Sequence, residues 1–280
     1  MKLLFFGDCM FGRDNRVFFK NPFIHVQSVI KKADVIFFNL ETVISPIPID
    51  DKYKWPEKKF HYQSDGIQLL ELKKMCKGKL VFVSATNNHS FDFSYHGLKA
   101  TMTFLHNNRF LAPYKTDPII KDNICFFDMS DHCGCKHPGV WAKHVWLVDL
   151  QNKKNWQDIL DKVKKYQKYF IVFSVHWGSN WLTHVPHYMT EFGKKLIDNG
   201  VQIVFGHSAH HIPPKAIKIY NNGLIIYGLG DFVNDYSVNK NYKSDEALMC
   251  MIDNLKVQKI KVKREFVEGS SSIPFLVKNK

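Results

Sequence analysis

The sequence predicts an α/β fold, because short apolar runs that indicate buried strands alternate with stretches of helical periodicity. Two of these runs, residues 201–205 and 224–227, end abruptly in the polar clusters GHSAHH and GLGDFVND. Open α/β sheets place ligand-binding side chains in the loops that follow such strand ends. The 280 residues are 45% hydrophobic, which is enough for a sizeable core. We therefore expect a single domain over residues 1–268 and a loose tail over residues 269–280.

Four further apolar runs also end in polar side chains, and this repetition points to a functional site. The runs and the residues that follow them are 2–7 with Asp8, 35–40 with Glu41, 80–83 with Asn88 and His89, and 169–175 with His176. A single histidine after a strand is more often an ordinary loop residue than a ligand. Five strand ends with carboxylate, amide or imidazole groups, including that of residues 201–205, are hard to explain by packing, and together they suggest a metal.

The stretches between these runs complete the predicted fold. Helices are predicted at residues 22–32, 67–75, 97–107, 156–169 and 189–199, and further strands at 123–129 and 145–150. Residues 247–252 and 257–262 predict a hairpin at the edge of a sheet, turning at Asp253 and Asn254. Residues 45–62 lack periodicity and contain three prolines, so they predict an ordered loop. A cover over a substrate and a simple packing excursion explain this loop equally well.

The charge balance favours an anionic partner without selecting one. Lysine and arginine outnumber aspartate and glutamate by 39 to 26, a formal net charge of +13. This charge suits a phosphoester, an anionic polymer, an acidic lipid or nucleic acid, although many of the lysines also fit a solvated helix face. Nucleic acid is the least favoured partner, since no nucleic-acid-binding motif accompanies the charge.

The sequence contains no apolar run long enough for a transmembrane segment and no visible signal peptide, so we expect a cytoplasmic protein. The six cysteines lack the spacing of a disulfide framework, which favours a reducing compartment. Cys133 and Cys135 are too close together for the usual pair of zinc ligands, and we interpret them as part of an incidental thiol-bearing loop. The oligomeric state stays open.

Individual residues at the strand ends suit metal chemistry and proton transfer. Asp8 offers a hard oxygen ligand, and Glu41 could bridge two ions, one through each carboxylate oxygen. In the segment NNHSFD, Asn88 offers a neutral amide oxygen, while His89 stays available for proton transfer with its tautomer held by Asp92.

Six segments carry a family resemblance: GDCMFGR, FFNLETVIS, TNNHSFDFSYHGLKAT, HWGSNW, GHSAHH and YGLGDFVNDY. In their order and spacing they resemble the CapA family of poly-γ-glutamate capsule proteins, which is similar to a divergent branch of the calcineurin-like metallophosphoesterases. The resemblance covers most of residues 1–235 and implies a four-layer α/β sandwich of two mixed sheets flanked by helices. It implies a metal site with His89 as the acid or base and with the ligands Asp8, Glu41, Asn88, His176, His207 and His210.

The chain departs from the wider metallophosphoesterase pattern in three ways. Met10 stands where those enzymes usually carry a histidine, and its thioether is a poor ligand for a hard ion. Glu41 replaces their bridging aspartate, and the segment GHSAH is one residue longer than their Gly-His-x-His motif. The resemblance is therefore compatible with one ion or with two.

These observations lead to two hypotheses of function. The first is a metal-dependent hydrolase of a phosphoester or related anionic substrate, which the resemblance links to poly-γ-glutamate capsule synthesis, with Mn, Zn or Fe as the divalent ion. Its candidate substrate-binding residues are Arg13, Asn180 and Asp231, although Arg13 taken alone is more simply a surface charge. The alternative is a non-catalytic protein that binds or assembles an anionic polymer on the same fold, which the charge of +13 fits equally well.

Overall fold

The computed structural model describes residues 1–12, 20–131, 138–235, 237–266 and 272–277. The strands, in chain order, are β1 (Lys2–Cys9), β2 (Val35–Leu40), β3 (Val43–Ile44), β4 (Gln63–Ser64), β5 (Leu80–Ser84), β6 (Ile119–Lys121), β7 (Ile124–Ser130), β8 (Phe170–His176), β9 (Ile203–His207), β10 (Ile217–Tyr220), β11 (Gly223–Ile226), β12 (Asp231–Val233), β13 (Glu246–Asp253), β14 (Lys256–Phe266) and β15 (Ser272–Leu276). The α-helices are α1 (Gln27–Ile30), α2 (Ile67–Met75), α3 (Ser94–Asn107), α4 (Pro138–Trp141), α5 (Trp156–Lys164) and α6 (His187–Asp198). Short 3₁₀ helices cover Ile24–Val26, Asp51–Tyr53 and Lys153–Asn155.

Two mixed sheets form the framework of the protein. The first has the strand order β15-β14-β13-β1-β2-β5, and β12 pairs in parallel with the end of β1. In this sheet β1, β2 and β5 run parallel, whereas β13, β14 and β15 join through antiparallel pairs. The second has the order β10-β11-β9-β8-β7-β6, with a parallel centre and an antiparallel strand at each edge. Strands β3 and β4 form a separate parallel pair.

Apolar side chains on both faces of each sheet build four layers. Between the sheets, Phe5, Phe37 and Phe82 of the first sheet contact Phe126 and Phe205 of the second. Alternate residues of the same strands face outward, where α1, α2 and α3 cover the first sheet and α5 and α6 cover the second. Burying each phenylalanine contributes about 1.5–3 kcal/mol, so the inner layer is a major source of stability. The predicted α/β class and its four-layer arrangement are confirmed.

The parallel strands of both sheets end at a common edge. Ser84 at the end of β5 donates a hydrogen bond to Asp128 of β7, and the backbone N–H of Ser208 after β9 donates to Asp8 of β1. Polar residues that are far apart in the chain therefore meet along this edge, as expected for an α/β sheet.

The prediction of a strand at residues 145–150 is wrong. In the described chain this segment makes isolated bridges at Val145 and Leu147 and belongs to none of the strands. The buried Trp146 packs against Phe127 and Phe173, with ring centroids 6.0 and 5.7 Å apart. The apolar run therefore anchors a crossing loop to the core and does not extend a sheet.

The expectation of a loose C-terminal tail needs correction for residues 272–276, which form β15 and pair with β14. Ser272 is buried, accepts a hydrogen bond from Arg264 at 2.9 Å and donates one to Asn234 O at 2.7 Å. The predicted hairpin is confirmed as β13 and β14, but β15 lies outside it, so the hairpin is not the sheet edge. Backbone pairing and polar anchors hold β15, and neither leaves a periodic pattern in the sequence.

Candidate metal centre

Three side chains with metal-binding groups meet where β1 runs beside β12. Asp8 pairs in register with Asp231, and His210 Nδ1 in the loop after β9 lies 2.7 Å from Asp231 Oδ1. Among the described residues, one donor atom each from Asp8, His210 and Asp231 lies within 4.8 Å of the other two, and these three residues form the donor cluster. Burial alone would lower the pKa of His210, but Asp231 and then Asp8 together outweigh this effect and the pKa is raised. Two carboxylates and an imidazole fit a divalent transition ion.

A close backbone approach brings the two carboxylates together. Asp8 N donates to Gly230 O over 3.2 Å, and a Cβ atom at Gly7 would lie 1.8 Å from that same oxygen. Position 7 therefore requires glycine, because any side chain would force the two backbones apart. The glycine that ends the first apolar run thus determines how near Asp8 lies to Asp231.

Glu41 belongs to the same buried acidic group. Asn39 Nδ2 lies 2.9 Å from Asp8 Oδ1 and 3.3 Å from Glu41 Oε2, so one amide donates to both carboxylates. Burial and then the charge of Asp231 raise the pKa of Asp8 to about 7. Burial, followed by Asp8 and Asp231, raises the pKa of Glu41 well above its usual range. Buried carboxylates this close together are costly without a cation, so the donor set fits a metal in charge as well as in chemistry.

Asn88 presents an amide oxygen toward which no described residue donates. Its Oδ1 atom is buried without a hydrogen-bond partner among the described residues, an arrangement that is costly unless a ligand satisfies it. The neighbouring Asn87 has its hydrogen-bonding capacity in use, because Nδ2 donates to Asn39 Oδ1 at 3.0 Å and to Leu40 O at 2.8 Å, and Oδ1 accepts from His89 N at 3.0 Å. Asn87 thus ties the loop after β5 to the end of β2, and Asn88 is the candidate ligand.

His176 and His207 form a pair of imidazoles at the ends of β8 and β9. They are partners in the strand register, and their Nδ1 atoms lie 3.0 Å apart. Two imidazole nitrogens that bind the same ion at about 2.1 Å lie roughly 3 Å apart, so the geometry of this pair also fits a metal. Burial lowers the pKa of His207 to about 3, which keeps its imidazole neutral as a metal ligand requires. Ser208 N, next to this pair, donates to Asp8 Oδ2 at 3.2 Å.

His89 lies beside the acidic group, with its Nε2 atom 3.9 Å from Glu41 Oε1. Its Nδ1 atom is 2.7 Å from Asp92 Oδ2, which also accepts from Tyr62 N at 2.7 Å. Burial lowers the pKa of His89 to about 4, although Asp92 opposes the shift. The neutral ring therefore donates its Nδ1–H to Asp92 and presents a bare Nε2, an arrangement suited to proton transfer.

Lys58 contacts the dyad formed by His89 and Asp92, and the sequence did not predict this role. Its Nζ atom donates to the backbone oxygen of Asn88 and lies 3.4 Å from Asp92 Oδ1, and its side chain is 7% exposed. Burial alone would raise the pKa of Asp92, but His89 and Lys58 together lower it. Lys58 belongs to the aperiodic loop 45–62, where one lysine among several carries no signal. The structure thus places this loop against the candidate site.

Two further supports were also missed. Asp128 accepts hydrogen bonds from the backbone of the loop after β5, and a charged residue inside the apolar strand β7 was an available signal. Arg264 is buried and donates to Asn234, which in turn donates to Asp231 Oδ2. In the alternating strand β14, Arg264 occupies the phase of the apolar residues Ile260 and Val262, so a charge at that inward position was an available signal.

The three predicted substrate-binding residues differ in their surroundings. Arg13 lies outside the described residues, as do Cys133 and Cys135. Asn180 is exposed, and its backbone oxygen accepts from His210 N at 3.0 Å, which places it next to the donor cluster. Asp231 is buried and bonded to His210, so its geometry is that of a metal donor.

The described parts of the chain contain no helix that combines the length and apolar character needed to span a bilayer.

Known proteins similar to this chain include PGA biosynthesis protein CapA of Bacillus subtilis (strain 168), 25% identical over 255 residues, or 82% of this chain and 62% of that protein. A probable polyglutamine synthesis accessory protein of Mycobacterium tuberculosis (strain CDC 1551 / Oshkosh) is 31% identical over 169 residues, which cover 54% of this chain and 44% of that protein. The chain thus spans less than two thirds of the length of either relative. Among solved structures, TT1561 of Thermus thermophilus superposes with a TM-score of 0.47 and 8% identity, over 92% of this chain and 97% of that chain.

The family model described as bacterial capsule synthesis protein PGA_cap matches residues 2–112 and 125–236. These ranges contain the six segments on which the resemblance to CapA rests, and that resemblance is confirmed. They also contain both sides of the donor cluster, from Asp8 to Asp231. The chain therefore belongs to the PGA_cap family of bacterial capsule synthesis proteins.

Proposed function

We propose that the chain is a metal-dependent hydrolase of a phosphoester or a related anionic bond, and that it acts in poly-γ-glutamate capsule synthesis. The capsule assignment is supported by the family and by the relative named PGA biosynthesis protein CapA. The hydrolytic assignment is carried by one observation, the position of the His89–Asp92 dyad beside the buried donors. In this dyad Asp92 holds His89 Nδ1, and His89 Nε2 lies 3.9 Å from Glu41 Oε1. Donors alone would serve a structural ion, whereas an adjacent proton-transfer group suits catalysis.

The donor set has the composition of a catalytic metal site. A divalent transition ion bound there would supply Lewis-acid chemistry, polarising a substrate oxygen and lowering the pKa of a water. The candidate holders of one or two such ions are Asp8, Glu41, Asn88, His176, His207, His210 and Asp231.

His89 is the residue that moves a proton in this proposal. Its Nδ1–H donates to Asp92, so its bare Nε2 can accept a proton from the attacking water of the hydrolysis, and Asp92 stabilises the resulting imidazolium. The same nitrogen then returns the proton to a leaving group. Lys58 lies against the other oxygen of Asp92 and, after His89, lowers the pKa of that carboxyl group. A positioned acid or base of this kind contributes typically about 10²- to 10⁴-fold to a rate.

Metal analysis followed by an activity screen tests the proposal. Wild type should hold one or two equivalents of Mn, Zn or Fe, and the Asp8→Asn, Asp231→Asn double variant should lose them. Asp131→Asn is the matched control, because Asp131 is also buried and its side chain accepts hydrogen bonds only from Leu150 N and Tyr188 Oη among the described residues, both outside the donor set. Its backbone N–H, which donates to His176 O at 2.8 Å, is unchanged by the substitution. A wild type that stays free of metal after incubation with Mn²⁺ and Zn²⁺ would refute the metal site.

The activity screen should use phosphomonoesters, phosphodiesters and poly-γ-glutamate. His89→Asn should retain the metal and slow turnover by roughly 10²- to 10⁴-fold. Equal loss of metal and turnover would instead make His89 a ligand, and unchanged turnover would remove it from the mechanism.

The second candidate function is non-catalytic binding or assembly of an anionic polymer, which the net charge of +13 favours. In this case the protein would bind metal and poly-γ-glutamate without turning over any of the substrates. Binding of the polymer that is weakened by salt and unchanged in His89→Asn would select this function.

A further inference from the structure

We propose that Asp128 is a positioning residue that sets the tautomer of His207 through Ser84, so that His207 presents a bare Nδ1 toward His176. The proposal rests on the metal site proposed above and adds the residue that prepares one of its ligands. It is carried by a chain of hydrogen bonds from Asp128 through Ser84 to His207, here called the relay, which crosses from the second sheet to the first and back.

Asp128 is the acceptor at the start of this chain. It is 1% exposed, and its Oδ2 atom accepts from Ala85 N and Thr86 N at 2.8 Å each. Burial raises the pKa of Asp128 to about 6, which still leaves the carboxylate ionised at neutral pH. Its Oδ1 atom carries no hydrogen in that state, so the contact with Ser84 Oγ requires the serine hydroxyl to donate.

Ser84 passes this constraint to His207. A serine hydroxyl has one hydrogen, and in Ser84 this hydrogen is used in the hydrogen bond donated to Asp128. Ser84 Oγ also lies 3.0 Å from His207 Nε2, so the oxygen must accept in this contact and Nε2 must carry the hydrogen. Ser174 Oγ lies 2.9 Å from the same Nε2 atom and offers a second acceptor. A bare Nε2 would instead direct its lone pair at the lone pairs of Ser84.

The consequence appears at the other ring nitrogen. A neutral imidazole has one N–H, so a hydrogen on Nε2 leaves Nδ1 of His207 bare. This is the atom that lies 3.0 Å from His176 Nδ1. Groups that fix the tautomer of a metal-binding histidine in this way typically alter metal affinity by about 10- to 100-fold when replaced. Asp128 is therefore a determinant of metal affinity although it does not belong to the donor set.

The relay depends on the packing of the two sheets. Asp128 and Ser174 belong to β7 and β8 of the second sheet, and Ser84 ends β5 of the first. Asp128 also holds the backbone of Ala85 and Thr86, at the start of the loop that carries Asn88. A test must therefore separate the tautomer of His207 from this structural contact.

Asp128→Asn makes the separation. The asparagine oxygen can accept from the two backbone N–H groups, while its NH₂ group donates to Ser84 Oγ. Ser84 then donates to His207 Nε2, which reverses the tautomer. Nitrogen-15 NMR of histidine-labelled, metal-free protein reads the tautomer directly, with the His207 signals identified by their loss in His207→Gln. Wild type should show a protonated Nε2 and a bare Nδ1, and Asp128→Asn the reverse.

Titration with Mn²⁺ gives the second readout. Asp128→Asn should weaken Mn²⁺ binding by about 10- to 100-fold, whereas the Asp131→Asn control should change neither the tautomer nor the affinity. In a Ser84→Ala background the relay is already broken, so adding Asp128→Asn should cause no further loss of affinity.

Three results would overturn the proposal: a wild-type His207 protonated on Nδ1, an unchanged tautomer in Asp128→Asn, or a further loss of affinity in the Ser84→Ala background. The last result would show that Asp128 acts through Ala85 and Thr86. Absence of Mn²⁺ binding in wild type would instead refute the proposed metal site, and the tautomer measurement would still decide whether the relay exists.

Discussion

Replacement of Asp128 by alanine should destabilise the fold by several kcal/mol. The change leaves the N–H groups of Ala85 and Thr86 buried between the sheets without their acceptor. An unsatisfied buried donor costs about 1–3 kcal/mol, so two of them predict a loss of about 2–6 kcal/mol in the free energy of unfolding. Asp128→Asn keeps an oxygen in place for both groups, and its loss should be at most about 1 kcal/mol.

The same residue makes stability depend on pH. Burial raises the pKa of Asp128 from 3.8 to about 6 in the folded protein, so the folded state binds this proton more tightly than the unfolded state. The resulting stabilisation is fully present below pH 3.8 and is lost as the pH rises through 6. Asp128→Asn does not titrate. From pH 5 to pH 8, wild type should therefore lose about 1.4 kcal/mol relative to this variant.

Urea unfolding followed by far-ultraviolet circular dichroism measures both effects. Wild type, Asp128→Ala and Asp128→Asn should be compared at pH 5 and pH 8, with equal slopes against urea as evidence that the same surface unfolds. A loss below about 1 kcal/mol for Asp128→Ala would show that the two N–H groups find other partners. A difference between wild type and Asp128→Asn that is constant with pH, or that grows in favour of wild type at pH 8, would refute the assigned shift in the pKa of Asp128.

Three further predictions concern the supports of the donor cluster. Gly7→Ala should lower both the melting temperature and the metal content, because its Cβ would lie 1.8 Å from a backbone oxygen; a wild-type melting temperature would contradict this close approach. Arg264→Met should cost about 3–5 kcal/mol in urea unfolding, because Arg264 is buried and hydrogen-bonded, and a loss below about 1 kcal/mol would contradict this. Lys58→Met should retain the metal and slow turnover, because Asp92 loses its buried cation, whereas the exposed control Lys52→Met should change neither; loss of metal in Lys58→Met would show a structural role.

Most of the candidate site could be predicted because its residues follow directly on strand ends. Asp8, Glu41 and His176 each lie at or next to the end of an apolar run, and parallel strands bring such ends to one edge. The pairing of His89 with Asp92 was also predictable, since the two residues lie three positions apart in one loop. In these cases the local sequence carries both the element and the position of the side chain along it.

Asp231 shows where this reasoning stops. The sequence predicts that it binds substrate, yet its register with Asp8 and its hydrogen bond to His210 place it among the candidate metal donors. That register follows from the contact between Gly7 and the backbone of Gly230, two residues more than 200 positions apart. No local pattern specifies such a pairing.

The sequence by itself determined the α/β class, the apolar strands and the chemical nature of the residues at their ends, because these follow from periodicity and composition. The tertiary structure alone decided which of those residues meet, and it added the groups that prepare them. Lys58 reaches Asp92 from an aperiodic loop, and Asp128 reaches Ser84 across the gap between two sheets. The hydrogen bonds and ion pairs that orient a site act over a few ångströms in space, and the packing of the sheets sets those distances regardless of separation along the chain.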